Sequence, residues 1–229
     1  FWKWWEAELQ YSLRELRVTG GEPSMSPDFW KLMEWWKKNP DCKVPFAVNS
    51  NLGQKKKLLD ALIESSHSFK DFTIYTSCEA TGLQAEYIRF GLIWDVWLKN
   101  MYRVNEEANV KSVNVMMTIN SLCLFSITEF MDEMLKLKKK FGYQAAVMSF
   151  NILRFPSFQS IVTLPEEIRL ERAAAMEAWL EKNWNGGRNG FIDIERDGLL
   201  RLIEYTKSVQ KGHEFTSSLD SRLRDFRSF

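Results

Sequence analysis

Short apolar runs alternating with amphipathic stretches at helical spacing constrain the fold of this chain more than any other feature. The apolar runs fall at about 15–20, 44–51, 72–76, 112–120 and 146–153. Between them, residues 27–38, 54–65 and 87–102 carry apolar side chains three and four apart, with a break expected at Gly91; a fourth helix opens on a capping box, Ser126 to Glu129, and runs to about Lys140. An amphipathic helix over 1–14, with Trp2, Trp5, Leu9 and Leu13 on one face, precedes the first strand. Strands separated by helices of this length predict right-handed βαβ units and a parallel sheet. Residues 160–163 read as a short extended piece and a possible sixth strand. From 165 the pattern is helical only, over 165–184 and 194–210, before a charged tail. The expected division is therefore an α/β core over 1–164 and a C-terminal helical extension over 165–229.

In a parallel α/β barrel all strand C-termini meet on one face, and functional side chains come from several strands. The predicted strands end in polar groups: Glu22, then Asn49 and Asn51, Ser77 and Glu79, Thr118 and Asn120, Asn151 and Arg154. The first end is distinctive. Leu16-Arg17-Val18-Thr19 runs into Gly20-Gly21-Glu22-Pro23, and Ser26-Pro27-Asp28 then opens a helix. Adjacent glycines at a strand end let a ligand approach the backbone, because no Cβ intervenes. The acceptors gathered there, carbonyls and a carboxylate, suit an ammonium, which offers only donors.

Gly20-Gly21-Glu22-Pro23 after an apolar strand resembles the second conserved motif of the radical S-adenosylmethionine (radical SAM) enzymes. Ser77-Cys78-Glu79-Ala80-Thr81-Gly82 is similar to the Ser-x-Asp-Ala-x-Gly segment of that family, with Glu79 in place of Asp, and Thr118-Ile119-Asn120 resembles its Thr-Val-Asn. The resemblance covers about 10–165 in order, and Leu219-Asp220-Ser221-Arg222 resembles the end of the twitch-type branch. It implies a partial (β/α)6 TIM-like barrel whose first strand is missing, and a SAM site. In that site Gly20, Gly21 and Glu22 take the methionine amine, Ser77 and Arg89 the carboxylate or ribose, and Asn120 the adenosine side, with Asn51 and Glu79 as further contributors. It also implies a [4Fe–4S] cluster on a CxxxCxxC loop. No such loop occurs here, so the ligands are expected upstream of residue 1 and the chain reads as a fragment inactive alone. The implied activity is reductive cleavage of SAM to a 5'-deoxyadenosyl radical that takes hydrogen from a substrate, with an external electron donor. A peptide or protein substrate is favoured; the alternatives are a nucleobase, or a non-catalytic barrel binding a small ligand or partner.

Composition narrows these choices. Lys and Arg total 31 against 30 Asp and Glu, so no excess charge calls for nucleic acid or an anionic membrane. No apolar run approaches the roughly 20 residues of a membrane span. The three cysteines, Cys42, Cys78 and Cys123, are odd in number and widely spaced, which fits a reducing, cytoplasmic setting and forms no metal motif.

The remaining features favour plain roles. Asp193-x-Glu195-x-Asp197-Gly198 with Glu204 at the twelfth place matches most of an EF-hand calcium loop, against which stands an acidic first turn of a helix. His67 and His213 are too few and too distant for a catalytic pair. Lys55-Lys56-Lys57 reads as a solvated face, Lys136 to Lys140 as cations at a helix C-terminus, and Trp94 and Trp97 as core.

Overall fold

The computed structural model describes residues 1–208 and contains one five-stranded, wholly parallel sheet in sequential order. A helical segment α1 (2–12) leads into β1 (Leu16–Val18). Then follow α2 (Pro27–Lys38), β2 (Phe46–Asn49), α3 (Lys56–Ser66), β3 (Phe72–Ser77), α4 (Gly82–Ile88), α5 (Trp94–Glu107), β4 (Ser112–Ile119), α6 (Ile127–Phe141), β5 (Val147–Ile152), α7 (Glu166–Asn183) and α8 (Asp193–Lys207). Each strand pairs with the next in the chain, so every right-handed crossover turns the same way and the helices cover one face. That is the arrangement of a partial barrel.

The two faces of the sheet differ as this predicts. On the helix side Phe46, Phe72, Ile74, Val113, Val115 and Met117 are buried. Trp36 of α2 lies on Phe46 and Phe69, with ring centroids 5.1 and 5.0 Å apart, and Trp97 of α5 donates its Nε1 to Thr76 Oγ1 at 3.1 Å. The ten tryptophans include the largest fully buried side chains, Trp5, Trp36 and Trp97. Trp97 is therefore core, and so is Trp94, which stacks on it at 5.5 Å. The other face carries Asn49, Tyr75, Ser77, Asn114 and Ser149, all half-buried, with Thr118 and Asn151 exposed. Among the described residues no helix covers this inner face, which fits its polar side chains.

Several local expectations change. Residues 161–163 form a 3-10 turn, so the sheet has five strands among the described residues. In α3 Leu59 and Leu62 are fully buried, and Leu58 is partly exposed. The chain from Gly82 to Glu107 is two helices, parted at Gly91 with φ +83°. Ser126 stands at the N-cap of α6 but makes no capping bond there; its hydroxyl accepts the Thr81 N–H at 3.1 Å instead, and the Thr128 hydroxyl takes the Glu129 carboxylate. The capping box is thus replaced by a tie between the β3 and β4 loops.

Of the two readings of 193–204, the acidic first turn of a helix holds and the calcium loop does not. Asp193 to Lys207 is one continuous helix, which removes the loop. Glu195 is wholly buried, its carboxylate 2.5 and 2.6 Å from Lys138 Nζ, and it accepts the Met148 and Ile192 N–H groups at 2.7 and 2.9 Å. Among the described residues no cluster of His, Cys, Asp or Glu could hold a metal. Glu195 instead joins α8 to α6 and to the start of β5. Gly198, one turn on, allows close approach: a Cβ there would stand 3.0 Å from the Phe150 ring. Among the described residues no helix is long and apolar enough to cross a membrane. The Leu219-Asp220-Ser221-Arg222 segment and His213 lie outside the described residues, and His67 is exposed, its Nε2 3.1 Å from the Glu107 carbonyl.

Candidate functional site

The strand ends gather in two hydrogen-bonded groups. The first joins β1 to β2 through Glu22. Its Oε1 accepts from Ser24 Oγ at 2.8 Å and Ser24 N at 3.3 Å, its Oε2 from Asn51 N at 2.7 Å, and Ser50 Oγ lies 3.1 Å from both oxygens. Asn51 Oδ1 accepts the Gly53 N–H at 2.8 Å, closing an Asx turn. Glu22 thus aligns the two loops with four donors. Gly20, with φ +138°, takes a conformation open to glycine, and a Cβ on Gly20 or Gly21 would meet no atom within 4 Å. The turn is bare backbone beside a cavity of about 600 Å³ that also touches Phe1, Trp2 and the first turns of α2.

The second group joins β3 to β4. Glu79 is buried, and Arg89 at the end of α4 meets it with Nε at 3.0 Å and Nη2 at 2.5 Å. Burial pushes the Glu79 carboxyl above the ordinary carboxylate range, and the Arg89 guanidinium opposes that rise. Among the described residues Nη1 of Arg89 has no hydrogen-bond partner, on a side chain about one quarter exposed. Asn120 is nearly buried. Its Oδ1 accepts from Leu122 N at 2.9 Å and Cys123 N at 3.2 Å, while its Nδ2 donates to the Thr118 carbonyl at 3.3 Å. Gln84 of α4 donates to the Leu122 carbonyl and holds the two loops together. Ser77 ends β3 on the inner face, level with Met116 of β4, which is in turn level with Ser149 of β5.

Seven of the eight sequence-predicted positions therefore sit at strand ends on one rim, and Arg89, at the end of α4, reaches that rim through Glu79. Ser24 and Ser50, which position that rim, are not marked out in the sequence from any loop serine, and Ser126 is marked there only as a helix cap. A larger, mainly apolar groove of about 880 Å³ runs along α2 past Trp30, Trp35 and Leu58, with Lys31, Glu34 and Lys38 also in its lining.

Cysteine chemistry is absent from the rim. Cys78 and Cys123 are fully buried; burial pushes the Cys78 thiol up to about 12 and raises that of Cys123 as well. Both stay protonated at neutral pH and are inert as thiolate ligands or nucleophiles. Alkylation of the native protein at pH 8 should label Cys42 alone among the three, and all three in urea; fast native labelling of Cys78 or Cys123 would show the loops to be open.

The fold and rim define a class, the parallel (β/α) partial barrel with a polar site at the strand C-termini. Solved structures with a similar fold include SuiB of Streptococcus suis bound to S-adenosylmethionine, at 14% identity and TM-score 0.51, covering 79% of this chain and 40% of SuiB. A domain of pyruvate-formate lyase-activating enzyme from Bacteroides vulgatus ATCC 8482 matches at 15% identity and TM-score 0.46, over 72% of this chain and 94% of that one. No protein-family model and no curated protein sequence matches the chain. At these identities the likeness is one of fold.

Proposed function

We propose that this chain is the SAM-binding core of a radical SAM enzyme. The observation that carries the reading is the bare Gly20-Gly21 turn held against a carboxylate at the mouth of a parallel partial barrel, a fold shared with a protein solved with SAM bound. The residues fit SAM. Carbonyls of the turn and the Glu22 carboxylate present acceptors to the methionine ammonium. Nη1 of Arg89 and the Ser77 hydroxyl present donors to its carboxylate or ribose, with Glu79 fixing the guanidinium plane. Asn51 flanks the amine side, and Asn120 shapes the adenosine side by setting the turn after β4.

The described cysteines do not fit the [4Fe–4S] cluster, being dispersed and, at Cys78 and Cys123, buried as neutral thiols. Cluster ligands would come from outside the described residues, and this chain's share is to bind SAM, orient the substrate and exclude water. Bound SAM would supply a 5'-deoxyadenosyl radical for hydrogen abstraction, with a peptide or protein as the favoured substrate and an external electron donor. Equilibrium dialysis of the intact protein against radiolabelled SAM tests the reading. Saturable binding that weakens about tenfold or more in Arg89→Met is expected, from loss of a charge-assisted bond. Absence of saturable binding would overturn it.

A further inference from the structure

Arg17 is the sole charged side chain that the strands place on the inner face among the described residues. Its guanidinium carbon lies 3.9 Å from the centroid of the Tyr75 ring, two strands away. β2 lies between them and presents Ala47, in register with Arg17, whose methyl leaves the path open. Nε of Arg17 donates to Glu15 Oε1 at 3.1 Å, and both Nη groups are without a protein partner among the described residues. Beside this stack, Asn49 pairs in register with Tyr75, and its Oδ1 is buried with no hydrogen-bond partner. A buried orphan acceptor costs free energy unless a ligand or an ordered water supplies the donor. Two independent features on one patch therefore ask for a ligand: a preorganised fork of cationic donors, and an acceptor in need of an N–H.

We propose that Arg17, Tyr75 and Asn49 form a specificity subsite on the inner face for a carboxylate-bearing peptide segment, Arg17 taking the carboxylate and Asn49 Oδ1 a peptide N–H. The inference deepens the proposed function and rests on it for the inner face being the substrate side. A guanidinium fork matches a carboxylate bidentately, and stacking on Tyr75 fixes its plane in advance. The rest of the face suits a peptide. It carries the carboxamides of Asn114 and Asn151 and the hydroxyls of Ser77 and Ser149, which match amide groups, and adds no second cation for a phosphate backbone. Tyr75 is the one aromatic ring that the strands place there among the described residues, and Arg17 already covers one of its faces. Nucleobases bind single-strand platforms by stacking on free rings, and that surface is largely spent.

The test uses the intact protein and fluorescein-labelled random octapeptide pools, each with one fixed central residue: Asp, Glu, Gln or Lys. Fluorescence polarisation should show the Asp or Glu pool bound about tenfold or more tightly than the Gln and Lys pools. Arg17→Met, which keeps the stem, should erase that preference, and Asn49→Ala should weaken every pool by a similar factor. SAM dialysis on the same variants should match wild type. Equal binding of all pools, or an acidic preference that survives in Arg17→Met, overturns the proposal; so does tighter binding of a labelled uridine octamer than of any peptide pool. A protein that prefers acidic pools yet binds no SAM would sink the SAM reading and leave the subsite standing.

Discussion

Lys138→Met is expected to lower stability by about 3–5 kcal/mol, the cost of leaving a buried partner charge uncompensated. Lys138 Nζ and the Glu195 carboxylate are both fully buried, and Nζ also donates to the Gly190 carbonyl at 2.9 Å. Burial alone lowers the Lys138 ammonium below the usual lysine range, and Glu195 opposes that fall. Removing the lysine therefore strands a carboxylate that still accepts two backbone N–H groups, Met148 at the start of β5 and Ile192 ahead of α8. Urea denaturation followed by tryptophan fluorescence reads the effect. With a slope of about 2–3 kcal/mol per molar, the midpoint falls by about 1–2.5 M. The double variant Lys138→Met/Glu195→Gln removes the stranded charge and keeps an oxygen for one of those N–H groups. It should be more stable than Lys138→Met alone; simple addition of two losses would show that the pair is not coupled.

That pair also marks where the sequence was readable and where it was not. The strand–helix alternation gave the parallel sheet, and the apolar positions of α2, Phe29, Leu32, Met33 and Trp36, are the ones the structure buries. Periodicity is a local property, so it survives reading without coordinates. Lys138 was passed over inside the run from Lys136 to Lys140. The signal was present: Phe130, Met131, Met134, Leu137 and Lys138 share one buried stripe of α6, so a lysine falls where the helix faces inward. Its partner, Glu195, reads as an acid in the first turn of a helix, which it is, but nothing in that pattern marks it as buried. The two lie 57 residues apart, and no local pattern joins them. At the rim the same limit applies. The strand-end residues were visible as polar breaks after apolar runs, whereas the Ser50 and Ser126 contacts, made with residues 28 and 45 positions away, exist only once the strands are side by side. Arg17 and Tyr75 were each legible as strand residues, but their stacking needed the register of three strands.

Glu22 carries the second large effect, and its geometry separates two roles that the sequence merges. Its carboxylate has about four acceptor sites, and Ser24 N, Ser24 Oγ, Ser50 Oγ and Asn51 N supply four donors. Glu22→Ala should therefore cost about 2 kcal/mol, since half-buried donors lose a charged acceptor and recover part of the loss from water. Glu22→Gln should cost a similar amount, because its NH2 faces donors. Neither figure involves SAM. If the methionine ammonium also binds there, it must share an oxygen with a serine hydroxyl, the donor that rotates most freely, and the charge on Glu22 then matters beyond the clamp. The SAM affinity of folded Glu22→Gln should fall about tenfold or more, measured by dialysis at a temperature where circular dichroism shows the native state. Ser24→Ala supplies the contrast: it removes the hydroxyl that competes for Oε1, so SAM affinity should hold or rise while stability falls by about 1 kcal/mol. Loss of stability in Glu22→Gln with unchanged SAM affinity would leave Glu22 as a clamp between the β1 and β2 loops. The Gly20-Gly21 carbonyls would then be the acceptors that remain for the ammonium, and the bare backbone of that turn, rather than its carboxylate, would define the site.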